Sequence, residues 1–364
     1  MIRLGLYGCG ERTWSLLNSL IRDEFYCVQA SFDLSEAAVQ KTVAEFGGKA
    51  CRSAEELIAC KDVDAFLISL SPFAHADAMR KTIPAGKPIF VEKPVAFTGA
   101  EVAELEALAE QYHVPVQVGF MRRYLPETIA ALDYIRNNEP GRLFSVECKW
   151  VHHGDVGMNY YMQHFPDNFR LKCSQIPFHC CHMLDIFLLF GGPVQTVTSQ
   201  LIKVTERPYP SPDDVICSVK FANGANGLFH YSSMVYYTEF SYGFNAENYS
   251  FKMCTEGQNL QVYHRPRFRT TQLGPHPEAE KDFGRFNNRY ERACFPDTTK
   301  FSQGLDFANE NIMFDFVKMV RDGAVPEADL KTAVRVQGLA EAVEMSGKLG
   351  KTIELNEQGI PIYS

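Results

Sequence analysis

The sequence lacks the patterns that mark several protein classes. None of its 11 cysteines belongs to a Cys-x-x-Cys pair and their number is odd, which argues against a disulfide framework and the common zinc motifs. No apolar run approaches the ~18 residues that a membrane-spanning helix requires. Repeats and low-complexity tracts are absent. The net charge of −8 opposes the phosphate contacts on which nucleic-acid binding depends.

The first residues also lack the charged segment and long apolar core of a secretory leader, and a strand-like run begins at Ile2. Unpaired cysteines fit a reducing compartment, so we expect a cytoplasmic protein with no membrane or nucleic-acid partner. What is present is ordinary globular composition, with 364 residues of which 46% are hydrophobic. At roughly 150 residues per domain, this length predicts about two domains.

The first 120 residues alternate between short apolar runs and segments with helical periodicity. Strands separated by helices of this length pair in parallel, which predicts a doubly wound sheet over residues 1–120. The predicted strands are Ile2 to Tyr7, Tyr26 to Phe32, Ala65 to Leu70, Pro88 to Val91 and Pro115 to Phe120.

After residue 120, strand-like runs follow one another without intervening helices, and Asn223-Gly224 favours a tight hairpin turn. This pattern predicts a second, α+β domain over residues 121–364, built on a large open mixed or antiparallel sheet. An amphipathic helix is expected from Leu330 to Leu349, ended by Gly350, and we expect it to pack back on the first domain.

Gly8-Cys9-Gly10 follows the first predicted strand and precedes a helix, as in dinucleotide-binding folds. There the first glycine permits a tight turn and the second lets the backbone approach the pyrophosphate, which the helix N-terminus then faces. The third glycine of the pattern would fall at Thr13, so the motif is incomplete. A plain strand-turn-helix connection is the alternative.

Asp33 ends the second predicted strand, where an acid accepts hydrogen bonds from the adenosine ribose. A carboxylate there repels a 2′-phosphate, so NAD is favoured over NADP; capping of the next helix is the alternative. Arg12 is equally consistent with a phosphate contact, a carboxylate contact or a solvated side chain.

Several segments, in this order, resemble the glucose-fructose oxidoreductase, inositol dehydrogenase and MocA (Gfo/Idh/MocA) family over essentially the whole chain. They are Ser71-Pro72 with His75, Ala85-Gly86-Lys87-Pro88, Glu92-Lys93-Pro94, Gly119 to Tyr124, Phe221 to Ala225 and Ser346 to Lys351. The resemblance implies a Rossmann domain followed by a mixed α/β domain whose open sheet forms an oligomer interface. It also implies NAD as cofactor and a sugar, cyclitol or glycoside as substrate.

The family's Glu-Lys-Pro lysine, which matches Lys93, reaches the substrate hydroxyl beside the nicotinamide. An ammonium there would stabilise a developing alkoxide. The resemblance also implies a cis peptide bond before Pro94. The residues expected to contact NAD are Gly8, Cys9, Gly10, Glu11, Arg12, Asp33, Ser71, His75, Glu92 and Lys93.

The family usually reads Asp-x-x-x-His-x-x-Asp where this chain has Phe178, His182 and Asp185. His182 matches the family's general acid/base, a role that suits imidazole because its pKa lies near neutral pH. Phe178 replaces the first acid, which puts sugar recognition and turnover in question. His179 is predicted to supply the missing polar group or a second acid/base, with a structural histidine as the alternative.

Further residues near these motifs are candidates for substrate contacts. Those predicted to line the substrate pocket are Arg123, His152, Tyr161 and Asp185. A metal site formed by Cys173, His179, Cys180 and His182 is less favoured, because neighbouring helix positions point about 100° apart. Cys9, Cys180 and Cys181 lie where thiol modification would block activity.

Together these observations predict an NAD-dependent oxidoreductase acting on CH–OH groups, with hydride passing between a secondary alcohol and nicotinamide. Catalytic roles fall to Lys93, His182 and His179. Two alternatives remain: an enzyme that cleaves glycosides by transient oxidation and elimination, and a non-catalytic NAD-binding regulator. A homo-oligomer, dimer or tetramer, is expected.

Overall fold

The computed structural model describes residues 1–18, 22–153, 174–206, 210–254, 259–264, 269–273 and 301–363. The elements of its first part are β1 (Ile2–Tyr7), α1 (Glu11–Leu17), α2 (Arg22–Phe25), β2 (Tyr26–Phe32), α3 (Glu36–Phe46), β3 (Lys49–Ala50), α4 (Ala54–Ile58), β4 (Ala65–Ile68), α5 (Pro72–Thr82), β5 (Ile89–Val91), α6 (Gly99–Gln111), β6 (Val116–Val118) and α7 (Pro126–Asn137). The described helices include none that is long and apolar enough to cross a bilayer.

The second part contains β7 (Leu143–His153), α8 (Cys181–Gly191), β8 (Val194–Ile202), β9 (Asp214–Phe221), β10 (Asn226–Ser232), β11 (Met234–Ala246), β12 (Tyr249–Cys254), β13 (Asn259–His264), β14 (Arg269–Leu273), α9 (Phe301–Asp322), α10 (Leu330–Leu349) and β15 (Ile353–Glu354). A single π-helical turn, Ile176–Cys180, leads into α8.

The first sheet has strand order β3-β2-β1-β4-β5-β6, and all of its pairs are parallel. Its central strands are buried on both faces, as helices covering a parallel sheet require. This is the predicted doubly wound Rossmann arrangement. The order reverses between β1 and β4, and the loops that follow these strands therefore meet at one edge.

The second sheet has the order β14-β13-β12-β11-β7-β10-β9-β8-β15 within the described residues. Only β7 and β10 pair in parallel there, so the sheet is mixed, as expected. Along β9, buried and exposed side chains alternate, because one face packs against α8 while the other is open. The predicted turn is present, with Gly224 at φ +86°.

The last helices return to the first sheet. Ile312, Met313 and Phe316 of α9 share a buried apolar cluster with Leu4 of β1 and Phe90 of β5. In α10, the backbone of Gly338 comes so close to Gly99 of α6 that a Cβ on Gly99 would lie 3.0 Å from it. Helix α9 thus covers the first sheet while α10 packs on α6, and the proposed division at residue 120 stays a prediction.

Candidate active site

The loop after β1 is shaped by two different glycines. Gly8 has φ +109°, and a Cβ there would lie 2.0 Å from the carbonyl oxygen of Ser69, so only glycine fits. A Cβ on Gly10 would meet nothing within 4 Å, so the space beside this backbone is open. Thr13, which replaces the third glycine, is buried and donates a hydrogen bond to the Gly8 carbonyl at 2.9 Å.

Asp33 lies just after β2 and faces this loop. Its carboxylate accepts hydrogen bonds from the backbone N–H groups of Cys9 and Ser35, each at 2.8 Å. A carboxylate has about four lone-pair sites, so acceptor capacity remains for a ribose. The tight Gly8 turn, the open space at Gly10 and this acid together fit a dinucleotide.

Arg12, for which the sequence left three roles open, connects the segment after β5 with α9. Its Nε donates to Glu92 at 2.6 Å and its Nη1 donates to the Asn309 side-chain oxygen at 2.7 Å. Asn309 belongs to α9, and no sequence pattern pointed to it. The carboxylate contact is therefore the one observed, while Glu11 is exposed at the start of α1.

Glu92, Lys93 and Pro94 follow β5, and the Lys93–Pro94 peptide bond is cis as the family resemblance implied. Glu92 is buried and its carboxylate also accepts the Lys93 N–H at 3.1 Å. Gly119 makes room for it, because a Cβ there would lie 2.8 Å from the Glu92 carboxyl carbon. These contacts fix the backbone position from which the Lys93 side chain extends.

His75 holds this segment from α5. Its Nε2 accepts the Leu70 N–H at 3.1 Å, so the proton resides on Nδ1, which donates to the Pro94 carbonyl at 2.8 Å. Burial lowers the pKa of His75 and favours this neutral form. Both ring nitrogens are therefore hydrogen-bonded to backbone groups. Ser71, another residue expected to contact NAD, is half-buried and immediately precedes α5.

The π-helical turn brings Phe178 to Lys93. The ammonium nitrogen lies 3.4 Å from the Phe178 carbonyl oxygen and 4.9 Å from the ring centre, within cation–π distance. Phe178 is 2% exposed, so the residue that replaces the family's acid is a core side chain. Wide turns of this kind are frequent at functional sites.

His179 and His182 lie near Lys93. Burial lowers the pKa of both rings well below the usual range, and the charge of Lys93 lowers it further. Their Nδ1 atoms are buried without a hydrogen-bond partner among the described residues. Both rings are therefore neutral at neutral pH, the state in which imidazole accepts a proton.

Arg123 and Asp185, both predicted to contact substrate, contact each other. Arg123 Nε lies 3.0 and 2.9 Å from the two Asp185 oxygens, and its Nη2 lies 2.6 Å from Oδ1. Arg123 is 9% exposed, and its Nη1 donates to the Glu327 carbonyl. This geometry favours a structural tie between α8 and the Met121–Tyr124 turn, and substrate contact stays a prediction.

The neighbouring Arg122, which sequence reasoning passed over, faces the histidines. Its guanidinium carbon lies 4.9 Å from the Phe240 ring centre and 6.0 Å from that of Trp150. Trp150 in turn contacts the rings of His179 at 4.6 Å and His152 at 5.6 Å. His152 is thus placed beside the candidate catalytic residues, while Tyr161 lies outside the described residues.

Neither the metal interpretation nor the thiol interpretation gains support. The described part of the chain contains no group of three or more potential ligands placed to hold a metal ion, and Cys173 lies outside it. Burial raises the pKa of the Cys9 and Cys181 thiols to about 11, and that of Cys180 well above its usual range. Such thiols are poor nucleophiles at neutral pH.

Comparison with known proteins agrees with this architecture. Rhizopine catabolism protein MocA of Rhizobium meliloti is 32% identical over 146 residues, which is 40% of this chain and 46% of that protein. An inositol 2-dehydrogenase of Pseudarthrobacter chlorophenolicus is 36% identical over 120 residues, 32% of this chain and 35% of that protein. The match thus spans less than half of each curated relative.

Solved structures match along nearly the whole length. The WlbA dehydrogenase of Bordetella pertussis, solved with NADH and UDP-GlcNAcA, superposes with a TM-score of 0.78 at 18% identity, covering 100% of this chain and 98% of that one. A levoglucosan dehydrogenase with NADH and levoglucosan gives 0.79 at 19% identity, covering 98% and 99%. At such identities the likeness concerns the fold.

Two family models match the chain in sequence order. Residues 2–120 match the oxidoreductase family's NAD-binding Rossmann fold, and residues 170–355 match its C-terminal alpha/beta domain. Together they cover well over half of the sequence. The chain therefore belongs to the Gfo/Idh/MocA oxidoreductase family, whose N-terminal domain is an NAD-binding Rossmann fold.

Proposed function

We propose that this protein is an NAD-dependent oxidoreductase that transfers a hydride between nicotinamide and a secondary alcohol of a sugar, cyclitol or glycoside. The observation that carries the proposal is the proximity of the Lys93 ammonium to the neutral ring of His182. Lys93 lies close enough to His182 for its charge to lower that ring's pKa. These two groups are what the oxidation of an alcohol needs from a protein.

In the oxidation direction, His182 accepts the hydroxyl proton, because its lowered pKa leaves the ring neutral. Lys93 donates a hydrogen bond to the same oxygen and stabilises the negative charge that develops on it. NAD, when bound, supplies the hydride acceptor. His179 is a second neutral ring beside this pair and lies against Trp150.

Other residues of the first domain support the cofactor. The Gly8–Gly10 backbone provides the close approach for the pyrophosphate, and the Asp33 carboxylate would accept the ribose hydroxyls and repel a 2′-phosphate. Arg12 and Glu92 neutralise each other at 2.6 Å, and Asn309 fixes the arginine from α9. These contacts hold the backbone that carries Lys93.

We also propose a homo-oligomer formed through the open face of the second sheet. Ile216 of β9 and Leu228 of β10 are exposed there at 47% and 45%, and Tyr237 of β11 at 53%. Large apolar side chains on an uncovered sheet face are typical of subunit interfaces. Eight cysteines of the described part are free thiols, which supports a cytoplasmic location.

The test is NADH formation by the full chain across a panel of sugars, cyclitols and glycosides. Lys93→Met and His182→Gln should each lower kcat by about a hundredfold or more. Lys61→Met, a matched change at an exposed lysine outside the site, should leave activity unchanged.

Normal turnover in either site variant would refute the assigned roles. Release of an aglycone without net NADH would instead identify the oxidation–elimination reaction. NAD binding without turnover of any panel member would identify a regulator.

A further inference from the structure

Around Lys93 and His182, most buried acids are paired with a cation, whereas two cations lack an acid partner within the described residues. Three buried acids lie near this pair in the described part of the chain, and two of them are paired with an arginine. Glu92 pairs with Arg12, and Asp185 pairs with Arg123. Glu127 is 4% exposed; burial raises its pKa to about 7, while the nearby charge of Arg122 acts in the opposite direction, so near neutrality this carboxyl is only about half ionised.

The cations on the same side form no ion pair with the described residues. The Lys93 ammonium makes one hydrogen bond among them, to the uncharged carbonyl of Phe178. The Arg122 guanidinium makes no hydrogen bond with the described residues, and its Nη1 is buried without a partner. Its contacts are the faces of Phe240 and Trp150. A buried charged nitrogen without an acceptor is costly and calls for an explanation.

Three of the unpartnered buried atoms nearby are donors: the Nη1 of Arg122, the indole Nε1 of Trp150 and the amide Nε2 of Gln175. The side-chain oxygen of Gln337, whose Nε2 donates to the Pro177 carbonyl, is an unpartnered acceptor. The neutral rings of His179 and His182 each offer one donor and one acceptor nitrogen. A ligand that meets this set carries acceptor oxygens for the cation and the amide donors, together with hydroxyl groups that can also donate.

Arginine suits one class of acceptor in particular. Its planar fork binds the two oxygens of a carboxylate or phosphate, and stacking on aromatic faces holds the fork in place. Phe178 adds to the excess of positive charge, because Lys93 contacts an apolar ring at the position where the family usually has an acid. A negatively charged substrate would balance this charge.

We propose that the substrate of the reaction proposed above carries an anionic group, a carboxylate or a phosphate, which pairs with Arg122 while its hydroxyl lies between Lys93 and His182. Arg122 acts as the specificity-determining residue. This inference rests on the proposed function, because it assigns the substrate class of the same site.

The test measures binding, so that it is separate from turnover. The full chain with NAD is titrated calorimetrically with matched probes: D-glucose, D-glucuronate, D-glucose 6-phosphate, myo-inositol and myo-inositol 1-phosphate. At least one anionic probe should bind about 10- to 100-fold more tightly than its neutral counterpart, the value of a charge-assisted hydrogen-bonded pair. The uronate and phosphate arms distinguish the two anions.

Arg122→Gln should remove this preference and leave the affinity for the neutral probe unchanged, whereas Arg122→Lys should keep part of it. Arg142→Gln removes the same charge from the exposed residue just before β7 and should change nothing. Circular dichroism on each variant verifies folding.

The inference is overturned if no anionic probe binds more tightly than its neutral partner, or if Arg122→Gln keeps the preference. Arg122-dependent binding of an anionic sugar without NADH formation would leave the inference standing while the proposed function fails. NADH formation with neutral sugars alone would do the reverse.

Discussion

The ammonium nitrogen of Lys93 lies 3.4 Å from the carbonyl oxygen of Phe178 and 4.9 Å from the centre of its ring. The lysine is thus held by a neutral carbonyl and an aromatic face instead of by a carboxylate. Its positive charge remains available to a ligand, which the proposed roles in alkoxide stabilisation and anion recognition both require.

Phe178→Asp should supply a carboxylate beside Lys93 and so satisfy that charge from within the protein. We expect affinity for an anionic probe to fall about tenfold, with little change for its neutral counterpart. Phe178→Asn has nearly the same shape without the charge and is the matched control. Equal calorimetric affinities for the two variants would show that charge at this position does not matter.

Asp185→Asn should destabilise the fold, because it leaves the Arg123 guanidinium buried with a weaker partner. Loss of one member of a buried ion pair costs about 3–5 kcal/mol of unfolding free energy. Urea denaturation measures the change. The same measurement is made on Arg123→Met, on Asp185→Leu and on the double variant. The double variant should lose clearly less unfolding free energy than the sum of the two single losses, and additive losses would contradict the pairing.

Glu127→Gln should stabilise the protein at high pH and have little effect at low pH. Burial raises the pKa of Glu127 from its ordinary value of 4.5 to about 7. The neutral carboxyl makes its full contribution to the free energy of unfolding below pH 4.5. That contribution is lost as the pH rises through 7, by an amount on the order of 3 kcal/mol.

The measurement for Glu127 is urea unfolding of both proteins at pH 4.5 and pH 8. Comparing variant and wild type at each pH cancels the opposite contribution of His75, His179 and His182, whose lowered pKa values favour unfolding in acid. A difference between the two proteins that does not change with pH would refute the raised pKa.

Asp33→Asn should weaken discrimination between the two nicotinamide cofactors. The amide keeps an oxygen for the Cys9 N–H, which the carboxylate accepts at 2.8 Å, but it no longer repels a 2′-phosphate. The ratio of NAD to NADP affinity should fall about tenfold or more. Glu36→Gln, at an exposed acid three residues on, is the control.

Cys9 and Cys181 should resist alkylation in the native protein. With pKa values of about 11, fewer than about one thiol in a thousand is ionised at pH 7.5. Iodoacetamide followed by peptide mass spectrometry should find the partly exposed Cys27 and Cys60 labelled first, and all four labelled in urea. Labelling of Cys9 as fast as Cys27 would be inconsistent with its burial.

Sequence patterns predicted elements whose periodicity is local. The helix Leu330–Leu349 and the strand Tyr26–Phe32 have the bounds that their apolar spacing indicated. The patterns did not reveal α9, whose buried side chains are explained only by contact with strands that are distant in sequence. Propensity carries no information about such partners.

The same limit applies to the site. Motifs predicted Lys93 and His182 as catalytic residues, which stays a prediction, and in the structure the charge of Lys93 lowers the pKa of the His182 ring. Arg122 and Arg123 are adjacent, and the sequence pattern predicted Arg123 as the substrate contact. In the structure Arg123 pairs with Asp185, whereas Arg122 lies against the aromatic ring of Phe240, a difference that depends on contacts far apart in sequence.

The return of α9 to the first sheet has a consequence for how this chain is made. During synthesis, residues 1–120 leave the ribosome long before the helix that covers Leu4 and Phe90 exists. Until then the apolar surface of that sheet stays in water, and the Arg12–Glu92 pair lacks its support from Asn309. The nucleotide-binding domain is therefore translated well before the helix that completes its core.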